Sequence, residues 1–83
     1  MRLTYFGAPY CGMCKAIKKA TFDVLQEEGY DVEFVDCTRD PLKAEKWRVK
    51  TLPTVIVLRD TGEVFNRFEG NVTLDVLRKN LDQ

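Results

Sequence analysis

Eighty-three residues, 45% hydrophobic and 31% charged, describe one soluble domain (residues 1–83) near the lower size limit for folding without staples. Thirteen Lys and Arg balance thirteen Asp and Glu, so the chain lacks the basic excess that nucleic-acid or anionic-membrane partners normally require. Three cysteines are too few for a disulfide-built secreted scaffold, and no stretch has the length of a membrane span or the apolar core of a signal peptide. A cytoplasmic monomer is the expectation, and in that reducing compartment a disulfide is transient and catalytic.

Residues 2–6 are rich in strand-favouring side chains and predict a first strand ending in the loop-forming Gly7, Ala8 and Pro9. Helical spacing follows from Met13 to Glu28, with Met13, Ile17, Ala20 and Val24 on one side and Thr21 and Leu25 beside them. Lys19 and Asp23 are spaced i,i+4 for a weak ion pair, and Gly29 is placed to end the helix in a left-handed conformation. A second strand is predicted over 31–36, with Val32 and Phe34 on one face and Val35 on the other. Asp40 and Pro41 supply the N-cap and first residue of a short helix reaching Trp47 or Arg48.

The run Thr54-Val55-Ile56-Val57-Leu58 predicts a central strand buried on both faces. Asp60, Thr61 and Gly62 then turn the chain into an antiparallel strand over 63–68, and Thr73 and Asp75 open a last helix carrying Leu74, Leu77 and Leu81. The order is β-α-β-α-β-β-α, an α/β domain whose first two strands are parallel through a right-handed crossover.

Chemistry concentrates at Cys11-Gly12-Met13-Cys14, two cysteines between a strand and a helix. A thiolate is the attacking species in disulfide exchange, and unpaired N–H groups at a helix N-terminus stabilise it. Cys11, just before the helix, is therefore the expected nucleophile. Cys14, three residues on in the first turn, can attack a mixed disulfide formed at Cys11 and close a small ring. Three other readings stand beside this one: two packed apolar thiols, a zinc site, or an iron–sulfur cluster shared between chains. With three cysteines and no histidine, one chain falls short of a four-ligand zinc site.

A second motif, Lys50-Thr51-Leu52-Pro53-Thr54, leads into the most apolar strand. Together with Cys11-Gly12-Met13-Cys14, Phe6, Asp36, Gly62 and Gly70, it makes the sequence similar to the thioredoxin/glutaredoxin superfamily over nearly its whole length. The resemblance implies a minimal thioredoxin fold with a four-stranded mixed sheet and three helices. It implies a redox-active Cys11–Cys14 disulfide with no bound cofactor or metal, and a cis Pro53 against the cysteine sulfurs. Leu52 would offer its backbone to an extended substrate, in the manner of strand addition. Tyr10, Gly12, Met13, Leu52, Pro53 and Gly70 would form the substrate surface.

Length and Tyr10 resemble glutaredoxins, whereas the Leu52-Pro53-Thr54 loop and the Asp60-Thr61-Gly62-Glu63 hairpin resemble thioredoxins. Glu69-Gly70-Asn71-Val72-Thr73 stands where many glutaredoxins hold glutathione with a glycine pair and an acid. The expected activity is therefore reduction of protein disulfides, with a thioredoxin reductase-like electron donor. Glutathione is the alternative reductant, and ribonucleotide reductase is one candidate partner. Two departures concern the chemistry directly. Tyr5 occupies the place of a buried aspartate that thioredoxins carry, and Met13 replaces a proline, adding an amide N–H near the Cys11 sulfur. Cys37 is expected to be a packed or partly exposed structural thiol. Trp47 is expected to anchor the second helix, and Lys43, Lys46, Arg48 and Lys50 to form a solvated basic face.

Overall fold

Alternation along residues 2–7 turns Leu3 and Tyr5 to one side and Thr4 and Phe6 to the other. In the computed structural model, which describes residues 1–82, this stretch is strand β1 (Arg2–Gly7). It lies between β2 (Asp31–Asp36), its parallel neighbour, and β3 (Thr54–Leu58), its antiparallel one. β4 (Val64–Glu69) closes the sheet antiparallel to β3, giving the spatial order β2-β1-β3-β4. All five residues of β3 are buried, as its unbroken apolar run required.

Three helices complete the predicted order. Helix α1 covers residues 12–27, α2 is Pro41–Lys46 and α3 is Leu74–Leu81. Asp40 caps α2 by accepting the Lys43 N–H at 3.3 Å, with Pro41 at the first helical position. Thr73 caps α3 through the Val76 N–H.

Helix α1 differs from its predicted form. It begins at Gly12, and its α-helical ends Gly12–Ile17 and Asp23–Glu27 flank a π-helical turn, Lys18–Phe22. Because that turn spaces partners five residues apart, Lys18, not Lys19, reaches Asp23, at 2.9 Å. The buried positions are Cys14, Ile17, Thr21, Phe22 and Leu25, while Met13 and Ala20 face outward. Ile17, Thr21 and Leu25 thus lie on the buried side as predicted, whereas Cys14 and Phe22 take the places expected of Met13 and Ala20. The helix ends as expected at Gly29, whose φ of 95° closes a Schellman motif with Tyr30 N–H bonded to Leu25 C=O.

One face of the sheet carries Leu3, Tyr5, Val32, Val55 and Val57 against Ile17, Phe22 and Leu25 of α1 and Leu77 and Leu81 of α3. The other carries Phe6, Val35, Ile56 and Leu58, with Trp47, Val49 and Cys37 packed against them. Trp47 thus anchors the end of α2, as expected. Among the described residues no helix is long and apolar enough to cross a membrane.

Strand register decides what meets at one end of the sheet. Gly7 pairs with Asp36, Phe6 with Thr54, and Thr54 with Glu69. The segments that follow β1, precede β3 and follow β4 therefore emerge together. They contain Cys11, Pro53 and Gly70.

Candidate active site

Cys11 is the N-cap of α1, with extended backbone angles (φ −93°, ψ 106°). Its Sγ accepts the Cys14 N–H at 3.2 Å, filling the place a serine or aspartate oxygen takes at an ordinary cap. The first turn sets Cys14 beneath it, buried to 2% exposure in the core on the α1 face. One thiol is thus half-exposed at a helix N-terminus and the next is buried a turn away, neither in a disulfide.

This asymmetry sorts their acidities. Contact with the Cys14 side chain lowers the Cys11 pKa, and the backbone N–H groups of Cys14 and Met13 lower it further. The Met13 amide therefore acts on the sulfur in the direction expected when proline is absent. Burial pushes the Cys14 thiol up, as does the adjoining Cys11, against lesser opposing contributions from the Ala8 backbone and the Tyr5 hydroxyl. At neutral pH the proton therefore stays on Cys14, whose S–H can donate to a Cys11 thiolate.

The remaining predicted site residues divide into two groups around the thiols. Tyr10, Gly12 and Met13 are exposed beside Cys11, Tyr10 at 77% and Met13 at 55%. The Leu52–Pro53 bond is cis, with Pro53 buried and Leu52 half-buried. Gly70 joins this loop by donating its N–H to the Pro53 carbonyl at 2.8 Å. Leu52 and Cys11 pack against the same core cluster.

Arg67 on β4 is a contributor that sequence reasoning missed. Its guanidinium donates to the carbonyls of Trp47 and Arg48, at 2.6 and 2.8 Å, tying the stretch that leads to Pro53 onto the sheet. A charged residue in a half-exposed strand carries no sequence signal for such a role. The basic face also proved less uniform than expected, since Lys43 is half-buried and paired with Glu33 at 2.8 Å.

Cys37 lies at the same end of the sheet, its N–H bonded to the Gly7 carbonyl at 2.9 Å. It is half-buried and packed against the core, the partly exposed position expected, and burial followed by the charges of Asp36 and Asp40 raises its pKa. Among the described residues, no three Cys, His, Asp or Glu side chains are grouped to hold a metal ion.

Comparison with known proteins gives the arrangement a lineage. The family model described as Thioredoxin matches residues 1–83. The chain is 36% identical over 70 residues to the SPbeta prophage-derived thioredoxin-like protein YosR of Bacillus subtilis, covering 84% of this chain and 82% of that protein. Against the thioredoxin of the same bacterium it is 39% identical over 70 residues, 82% of this chain but 66% of that one. The solved structure of thioredoxin 1 from Thermosipho africanus superposes with a TM-score of 0.84 at 26% identity, over 99% of this chain and 91% of that one.

Proposed function

The chain belongs to the thioredoxin family, and on that premise we propose that it is a thiol–disulfide oxidoreductase that reduces disulfides of other proteins. The observation that carries this reading is the Cys11 sulfur at the N-cap of α1, bonded to the N–H of a buried Cys14. Cys11 attacks one sulfur of the substrate disulfide, forms a mixed disulfide and expels the other sulfur as a thiolate. The Cys14 thiolate then attacks Cys11 Sγ, which releases the second substrate thiolate and leaves a Cys11–Cys14 disulfide. A reductant returns both thiols, and no other cofactor takes part.

Substrate docks on the surface around Cys11. Tyr10 and Met13 offer exposed apolar area there, with Gly12 open between them. Leu52 presents its backbone for strand-like pairing, with Pro53 and Gly70 bonded to each other beside it. A reductase of the thioredoxin-reductase type is the electron donor, and an enzyme with a dithiol cycle, such as ribonucleotide reductase, is a fitting recipient.

Pairing experiments test the reading. Supplied in turn with NADPH plus thioredoxin reductase and with glutathione plus its reductase, the protein is expected to reduce insulin faster with the first. Faster turnover with glutathione would assign it the glutaredoxin reductant. No turnover with either would remove the reductase reading.

A further inference from the structure

Tyr5 is a buried polar group in contact with Cys14, and its setting is built to hold it there. Its side chain rises from β1 on the α1 face and is 4% exposed. Its ring is flanked by Phe22, at a centroid distance of 4.6 Å, and by Phe34 at 5.9 Å, edge-on. The hydroxyl donates to the Cys14 carbonyl oxygen at 2.7 Å. Two residues along the same strand face, Gly7 leaves the space the phenol occupies. A Cβ on Gly7 would lie 2.7 Å from the Tyr5 oxygen and 2.8 Å from Cε1, closer than real Cβ contacts come. Glycine at 7 and tyrosine at 5 thus form one fitted unit beneath the dithiol.

We propose that Tyr5 is a positioning residue for the resolving thiol: its hydroxyl anchors Cys14 through the carbonyl and turns to donate to the sulfur when Cys14 loses its proton. The proposal rests on the assignment of Cys14 as the resolving thiol. The phenol has one proton to give and two acceptors on one residue, so a rotation about its C–O bond exchanges them with no movement of the ring. Burial, then contact with Cys14, holds the phenol above its ordinary pKa, so Tyr5 acts as a donor and not as a base. The same contact opposes the upward push on the Cys14 thiol.

A cleft of about 240 Å³ lined by Tyr5, Cys14, Lys15, Lys18 and Asp36 supplies the path by which the Cys14 proton reaches bulk water. The charge balance is simple. Cys14 releases one proton to solvent, its thiolate attacks Cys11 Sγ, the bond from Cys11 to the substrate sulfur breaks, and the departing thiolate takes up a proton. The groups facing Cys14 and Tyr5 among the described residues are Cys11 at the start of α1, Lys15 and Lys18 farther along it, Asp36 at the end of β2, and Cys37 just after it.

The test isolates Cys14 in Cys11→Ser/Cys37→Ser protein and follows its alkylation by iodoacetamide against pH, with and without Tyr5→Phe. Loss of the hydroxyl is expected to move the Cys14 midpoint upward by about one pH unit or more, the scale of a hydrogen bond to a charged group. With all thiols present, Tyr5→Phe is expected to slow release of a mixed disulfide about tenfold at pH 7, and to approach wild type at alkaline pH. A folded Tyr5→Phe protein with an unmoved Cys14 midpoint overturns the proposal. Should that variant fail to fold, Gly7→Ala carries the test. Crowding the phenol must raise the midpoint in the same way, and no change again overturns it. Alkylation needs no turnover, so an inactive wild type would sink the proposed function while still reporting whether Tyr5 governs Cys14.

Discussion

In Cys14→Ser protein, Cys11 is expected to remain joined to its substrate as a mixed disulfide that survives non-reducing electrophoresis. Cys11 lies exposed enough to be attacked and attacking, whereas Cys14 is 2% exposed and meets substrate only through Cys11. A neighbouring thiol held one helical turn away acts at an effective concentration far above any thiol in solution, on the order of 10⁵ M or more for well-oriented groups. Its replacement by millimolar external thiol should slow release by the ratio of the two concentrations, on the order of 10⁸-fold. The Cys11→Ser protein should form no adduct at all. An adduct trapped equally by Cys11→Ser would reverse the assigned roles.

The second large effect is on stability. Phe22 is fully buried, and its ring packs on Tyr5. Truncation to alanine is expected to cost about 3–5 kcal/mol, through lost burial and the cavity left behind. For a domain of this size that is most of the total stability, and the thermal midpoint should fall by about 15–30 °C. Thermal unfolding followed by circular dichroism reads the difference. A shift of only a few degrees would mean that the π-helical turn does not deliver Phe22 to the core.

The sequence made the sheet legible because its signals are local and agree. Alternation sets β1 and β2, an unbroken apolar run marks β3, and Asp40-Pro41, Thr73 and Gly29 fix helix ends by backbone chemistry that needs no tertiary partner. The dithiol was legible for the same reason, since a cap and a first turn lie within four residues. The interior of α1 was not. A π-helical turn changes the spacing of every side chain beyond it, and no residue in Lys18–Phe22 announces one.

What depends on contacts between distant segments also escaped notice. Arg67 reaching carbonyls at 47 and 48 is invisible in a single strand, as is the end of the sheet gathering Cys37 beside Gly7. Tyr5 lies between the two cases. Its place in the strand showed that a family acid was missing, but only the structure shows its hydroxyl on Cys14 and the space left for it by Gly7.

Everything in the proposed chemistry depends on Cys11 being the attacking sulfur of a redox-active pair. Reduction of insulin by dithiothreitol, followed as the turbidity of the freed B chain, tests this most directly. Wild-type protein is expected to accelerate precipitation, and Cys11→Ser protein at the same concentration to follow the uncatalysed rate. Equal rates for the two would contradict the assignment.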